Sequence, residues 1–352
     1  MADAAAVLRP ALLVVGELCV DLVVGAPSDP IRFGQHEQFV PFTRLTMGSS
    51  SAITACGAAA AGVPTTMIGV IGQDEFGEYV LRELTARGLD VSRVRIDPAV
   101  PTGSSTHLTR PDGDRAILTA MGTIGLTAMT DVPDDALASA QHLHVGSYFL
   151  QRALWPDAAT LFARARIAGL STSLDGNFDP DETWDRGILD VLAHTDVFFG
   201  NEQELVGITG ADSSLAAEVM LERMPPDAVV VCKLGGEGAV AIWREGRDVV
   251  RVRAGIPDVP GELVDTVGAG DSLAAGFLAA RLAGRPVERC LVLGVACGTA
   301  STRGAGGVGA QPDRATAEAI AATVCVQPVE RTPYPPTRSR RAAERAPTSV
   351  SS

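Results

Sequence analysis

Short apolar runs alternate with helix-patterned stretches along most of this 352-residue chain. ALLVVGELCVDLVV (11–24) reads as a strand, a glycine-containing break and a second strand. SSSAITACGAAAAG (49–62) reads as a helix of small residues suited to close packing on a sheet. TTMIGVIG (65–72) is strand-like, and DEFGEYVLRELTARG (74–88) is an amphipathic helix opened by Asp74 and closed by Gly88. HLHVGSYF, STSLDGNF, DVFFGN and AVVVCKLG supply further strands, with helical patterns such as PDAATLFARARIAG and LAAEVMLERM between them. Strand–helix alternation predicts an α/β fold: a doubly wound, mostly parallel sheet flanked by helices.

Two stretches break the rhythm. Residues 31–48 and 103–122 read as antiparallel β pieces, with a hairpin turn at Pro111-Asp112-Gly113. Such inserts predict a small β-sheet lid, a device that keeps water from a reaction. One large domain is expected over 1–326. Residues 327–352, rich in Pro, Ser and Arg and without apolar period, are expected to be a disordered tail.

Apolar residues make up 46% of the chain, enough for a large core. A net charge of −13 argues against nucleic acid as a partner, because an acidic surface repels phosphate backbones. It leaves room for an anionic ligand held locally by main-chain amides. None of the six cysteines forms a C-x-x-C pair, which points to a reducing compartment. The first residues carry no basic segment, and Arg9-Pro10, Glu17 and Asp21 interrupt their apolar run. Neither a signal peptide nor a membrane span is expected, so the location expected is cytoplasmic. His142 and His144 flank Leu143 at strand spacing and are expected to point one way, with no carboxylate or cysteine cluster to make them a metal site.

The stretch DTVGAGDSLAAG (265–276) carries the chemistry. The dinucleotide fingerprint and the P-loop are both absent, and the single lysine, Lys233, ends a strand. What remains is Gly268-Ala269-Gly270-Asp271 at the mouth of a helix. Small residues there expose amides that, with the helix dipole, hold an anion. Asp271 beside a phosphate is a poor helix cap but a good general base for an attacking hydroxyl. Neighbouring amides are expected to keep it ionised.

This stretch resembles the C-terminal signature of the ribokinase-like (PfkB) carbohydrate kinases, D-T-x-G-A-G-D followed by a small-residue helix. Support runs in order from about residue 11 to about residue 312. The resemblance implies ATP-dependent phosphorylation of a sugar hydroxyl of ribose or fructose type, with Mg2+ as cofactor. It implies Asp271 as base and the amides of Gly268, Ala269 and Gly270 as the cradle for the transferring charge. It points to Asp21 as the acid that orients sugar hydroxyls, helped by Gly48 and Ser49. The family's G-G-x-x-x-N stretch reads Met47-Gly48-Ser49-Ser50-Ser51-Ala52 here, so its first Gly and its Asn are missing. The serines either replace those contacts or cap a helix.

SLDGNFDPDETW (173–184) is similar to the family's D-x-N-x-R-P-x-x-W strand end. Asp175, Asn177, Pro180 and Trp184 match, while Asp179 stands where the family has Arg, which weighs against a phosphorylated acceptor. NEQE (201–204) resembles the N-x-x-E motif, which implies that Asn201 and Glu204 order the water shell of Mg2+. VVVCKLGGEGAVAIW (229–243) resembles the strand pair along the nucleotide phosphates, implying Lys233, Gly235 and Gly238 as nucleotide contacts. The loop after residue 296, with Asp265, is where relatives hold a monovalent cation, K+ in many of them. Related lids often pair into homodimers. Two rival functions stay open: a nucleoside kinase of the adenosine type, which 5% aromatic content disfavours, and a non-catalytic sugar-binding relative.

Overall fold

A computed structural model describes residues 11–25, 30–110 and 115–333. The described chain opens with β1 (Leu12–Val15), β2 (Cys19–Gly25), β3 (Thr43–Met47), α1 (Ser50–Ala60), β4 (Thr65–Ile68) and β5 (Val70–Gly72). It continues through α2 (Glu75–Ala86), β6 (Arg95–Asp97), β7 (Gly103–Thr109), β8 (Arg115–Ala120), α3 (Asp134–Ser139) and β9 (His142–Val145). Next come α4 (Ala158–Ile167), β10 (Ser171–Asp175), α5 (Ile188–Leu192), β11 (Val197–Asn201), α6 (Glu202–Thr209), α7 (Ala216–Leu221) and β12 (Val229–Lys233). The rest is β13 (Ala239–Glu245), β14 (Asp248–Ala254), α8 (Ala269–Leu282), α9 (Val287–Ser301), α10 (Arg314–Ala321) and β15 (Glu330–Pro333).

The main sheet has the order β15-β14-β13-β12-β11-β10-β9-β1-β4. From β4 to β12 all neighbours are parallel, and the β13–β15 edge is antiparallel. Parallel strands buried on both faces need apolar side chains at every position, and LLVV of β1 is buried throughout. The period of two then divides one strand between two cores. Leu12 and Val14 join a cluster with residues of α1, α2, α8, α9 and α10. Leu13 and Val15 join the opposite cluster with α3 to α7.

A separate four-stranded sheet, β3-β2-β7-β8, forms the lid. Its make-up corrects the sequence expectation. β2, which reads like a core strand, belongs to the lid, and its pairing with β7 is parallel. Residues 31–42 lie outside any strand, so only Thr43–Met47 of the first insert pairs. The turn expected at 111–113 lies outside the described residues. β15 is a second correction: Glu330–Pro333, expected within a disordered tail, pairs antiparallel with β14. The remainder of that tail, from residue 334, lies outside the described residues.

Candidate active site

The crossover loops at the carboxyl ends of the parallel strands meet the lid and enclose a cavity of about 1150 Å³. Gly268 turns the chain into α8 with φ +73°, and a Cβ there would stand 2.7 Å from Gly307 Cα. Only glycine suits both demands. No side chain caps the first turn of α8, so its amides face outward. The approach loop is held by Asp265, whose Oδ1 accepts from Val267 N at 3.0 Å and Oδ2 from Gly306 N at 3.0 Å.

Asp271 sits in the first turn of α8, and with Gly268 and Gly270 it lines the large cavity. Burial pushes its carboxyl up to about 7; Asp175 and Glu17 add to the rise, while Lys233 and a hydrogen bond from Ser50 pull it back. The expectation that nearby amides hold it in the ordinary carboxylate range is therefore corrected. Lys233 Nζ lies 2.9 Å from Asp175 Oδ2. Burial opposes the lysine's charge, but Asp175, Glu204 and Asp271 outweigh it and hold the ammonium above its ordinary value.

Asn201 and Glu204 line the same cavity and cap α6 reciprocally. Asn201 Oδ1 accepts from Glu204 N at 2.9 Å, and Glu204 Oε2 accepts from Asn201 N at 3.0 Å. Burial raises the pKa of the Glu204 carboxyl, which is 3% exposed. Asp21 and Ser49 line the cavity from the lid side. Gly48 acts from beneath: a Cβ there would fall 2.3 Å from Asp21 Oδ1, so glycine lets Asp21 fold in. Ser49 turns out to be largely spent as a helix cap. Its hydroxyl accepts from Ala52 N at 2.9 Å and donates to Glu17 O at 2.5 Å.

A second cavity of about 550 Å³ opens beside the first and shares Lys233, Gly235, Thr266 and Gly270 with it. Gly238 and Ala269 line it, and Ile256, Leu263, Leu273 and Val295 give it apolar walls. Such walls fit a planar base, and the shared residues form a channel for a charged chain leading to Asp271.

Sequence reasoning missed several cavity residues. Glu17 is 2% exposed and accepts from Ser51 Oγ at 2.5 Å, Ser147 Oγ at 2.8 Å and Gln151 Nε2 at 3.1 Å. Asn177 Nδ2 donates to Ser147 Oγ and Ser50 Oγ, each at 3.1 Å. A hydrogen-bonded chain thus runs from Glu17 through Ser147, Asn177 and Ser50 to Asp271. The one sequence signal for Glu17 is an acid inside an apolar run. Phe149, Trp155 and Phe178 wall the cavity opposite the lid, with Arg152 beside them. Asp179, in place of the family's Arg, accepts from Asp181, Thr183 and Trp184 main-chain amides and so organises the loop that carries Phe178. His142 and His144 do share a face, where Ser173 Oγ bonds both rings at 2.7 and 2.8 Å.

Comparison with known proteins agrees with this geometry. A model described as pfkB family carbohydrate kinase matches residues 10–314. The chain is similar to an ATP-dependent ribose-1-phosphate kinase of Halopiger xanaduensis, 34% identical over 296 residues, spanning 84% of this chain and 92% of the relative. It is similar to a fructokinase of Salmonella typhimurium, 29% identical over 280 residues, spanning 75% of this chain and 88% of that one. Among solved structures it resembles a putative ribokinase II in complex with ATP and Mg2+ from E. coli. The TM-score is 0.74 at 22% identity, over 88% of this chain and 98% of that one.

Proposed function

We propose that this chain, which belongs to the pfkB family of carbohydrate kinases, transfers the γ-phosphoryl group of ATP to a sugar hydroxyl with Asp271 as general base. The observation that carries this reading is the position of Asp271. It stands beside the uncapped first turn of α8, near where the two cavities share Gly270, with its carboxyl near 7. A base poised near neutrality takes a proton from an alcohol far better than an ordinary aspartate does.

The adenine is assigned to the apolar smaller cavity and the phosphates to the channel along Gly235 and Lys233. The amides of Gly268, Ala269 and Gly270 then meet the charge that develops on the moving phosphoryl group. Ser50 orients the Asp271 carboxylate toward the acceptor hydroxyl. Asn201 and Glu204 are the residues that would hold the water shell of Mg2+, and the buried, cavity-lining Glu204 suits that task. Bound Mg2+ supplies neutralisation of phosphate charge. A monovalent cation beside Asp265 belongs to the same reading, and activity in K+ against Na+ tests it.

The relatives' names divide between an acceptor with a phosphate and one without. We favour an uncharged sugar, because Asp179 replaces an arginine and the cavity is lined by Glu17, Asp21, Asp181, Glu204 and Asp271. Arg152 on the same wall supports a second reading, an anionic sugar. The homodimer expectation comes from related lids, and Leu45, Leu22 and Leu118, which run across one lid face at 38%, 37% and 61% exposure, support it. Analytical ultracentrifugation tests it. The decisive experiment for the activity is ADP release over D-ribose, D-fructose, ribose 1-phosphate and adenosine. Asp271→Ala is expected to lower kcat by roughly 10²–10⁴, and unchanged turnover would remove Asp271 from the role of base.

A further inference from the structure

One side chain on the wall of the large cavity donates in two directions. Asn177 lies just beyond β10 with φ +54°, a left-handed backbone that asparagine tolerates better than most residues. The neighbouring main chain fixes its amide group. Phe178 N donates to Asn177 Oδ1 at 2.9 Å, which assigns the oxygen to that amide and the NH2 group to the serines. Nδ2 then donates to Ser147 Oγ and Ser50 Oγ, each at 3.1 Å. A serine hydroxyl has one proton, and accepting from Asn177 leaves each hydroxyl to direct that proton elsewhere. Ser147 directs it to Glu17 Oε1 at 2.8 Å, and Ser50 directs it to the Asp271 carboxylate. The packing of α1 on α8 permits the second contact. Thr54, one turn beyond Ser50, donates from Oγ1 to Asp271 O at 3.3 Å, and Ser50 and Asp271 line the same cavity. Two arms thus diverge from one amide, and each ends on a carboxylate. An amide gives up no proton at neutral pH, so this chain sets the direction of hydroxyls and carries no proton between the acids.

We propose that Asn177 is a positioning residue for Asp271 in its role as base, acting through Ser50. The amide engages a lone pair of Ser50 Oγ and so leaves the O–H to one carboxylate oxygen of Asp271. The other oxygen stays open to the acceptor hydroxyl. With the amide gone, the Ser50 O–H is free to turn to its own helix or to solvent, and the carboxylate loses a donor that favours its charged form. The backbone alone does not call for asparagine, since glycine adopts φ +54° more easily. The cavity uses the amide. The charged groups facing Asp271 are Asp175, Lys233 and Glu17, and none of them makes the contact with Ser50 that Asn177 makes.

This rests on the sugar-kinase reading, and the test keeps the two apart. ADP release with the sugar that wild type prefers gives kcat/KM against pH for wild type, Asn177→Gly, Ser50→Ala, the double variant and Ser147→Ala. Glycine keeps the turn and removes only the amide. Asn177→Gly should move the acid limb up by about 0.5–1 pH unit, read as a loss of about three- to tenfold in kcat/KM on that limb. Ser50→Ala should move it at least as far. The double variant should move it no further than Ser50→Ala, because one arm carries both effects. Ser147→Ala cuts the Glu17 arm alone and should leave the limb in place.

A general loosening of the site lowers kcat/KM at every pH and leaves the limb where it is, so an unmoved limb in Asn177→Gly would overturn the assignment. Additive shifts in the double variant, or a shift from Ser147→Ala equal to that from Asn177→Gly, would overturn the route through Ser50. Thermal melts at pH 8 give an arm that needs no turnover. Asn177→Gly should lower Tm by about 1–2 °C more in the wild-type background than in Asp271→Asn, which has no charge for Ser50 to serve. Equal drops in the two backgrounds would overturn the coupling of Asn177 to Asp271. Absence of ADP release with every acceptor would sink the kinase reading alone, since the melts still decide whether Asn177 acts on Asp271.

Discussion

Asp271→Asn should do two things at once: stop turnover and stabilise the protein, by an amount that grows with pH. The carboxyl titrates near 7 in the folded protein against an ordinary 3.8. Between those values the folded state keeps a proton that the unfolded chain has lost. Stability is therefore fully present below about 3.8, falls as pH rises, and levels off above about 7. The rise from 3.8 to about 7, at about 1.4 kcal/mol for each tenfold change in proton affinity, sets a ceiling near 4 kcal/mol. Asp271 borders a large cavity open to solvent, so screening leaves about half of that. Asparagine has no charge to desolvate and regains it. For a chain of this length, about 2 kcal/mol moves Tm by roughly 2–4 °C. Thermal melts of both proteins from pH 4.5 to 8.5 give the reading. The gain should be under about 1 °C at pH 4.5 and full by pH 8. A variant that is no more stable at pH 8, or one whose gain is the same at every pH, would refute the electrostatics assigned to this cavity. Wild-type kcat/KM should fall about tenfold per pH unit below 7 as the same proton returns.

The histidines on the sheet act with the opposite sign. Burial holds His142 well below 6.5 and His144 down at about 4, so the folded rings stay neutral while the unfolded ones take up protons. Stability should be lost from pH 6.5 downward, by about 3 kcal/mol at pH 4 for His144 alone, and urea titrations of His144→Gln should show a flatter acid limb. Gly268→Ala forces a Cβ into a φ of +73° and against Gly307; it should cost roughly 1–3 kcal/mol in denaturant melts and lower kcat more than about tenfold as the amides shift. Lys233→Ala leaves Asp175, 3% exposed, without its ion pair; roughly 3–5 kcal/mol of stability should go, with a rise in KM for ATP in steady-state assays.

What the sequence made legible was local. LLVV and VVVC announce strands buried on two faces because every position is apolar, and Gly-Ala-Gly-Asp announces a helix mouth because four consecutive residues build it. What it hid was set by distant partners. β2 carries Leu22, Val23 and Val24, an apolar run that belongs to a core by composition, yet Leu22 is 37% exposed on the lid. β15 has no strand composition and forms because β14 offers it a free edge. Glu17 depends on Ser147 and Gln151, 130 and 134 residues away. The raised pKa of Asp271 has the same origin, since Asp175 and Glu17 approach it only in three dimensions.

The proposed choice of base among the carboxylates around the cavity depends on how each is held and where it stands. Glu17 accepts from two hydroxyls and an amide side chain, and these donors hold it in place. Glu204 is locked by the main-chain and side-chain nitrogens of Asn201. Asp175 has the Lys233 ammonium at 2.9 Å and Asn177 N at 3.1 Å. Asp21 is turned into the lid, with His107 beside it. Asp271 has a hydrogen bond from Ser50 and feels Lys233 only at longer range, because that lysine is committed to Asp175. Burial raises the carboxyls of Glu17 and Glu204 as well, so a raised pKa does not by itself choose among them. Asp271 combines a carboxyl raised to about 7 with a place in the first turn of α8, beside the amides, and Glu17 and Glu204 are fixed by their donors. Position at the mouth of α8 is thus what distinguishes Asp271 in the proposed role of base.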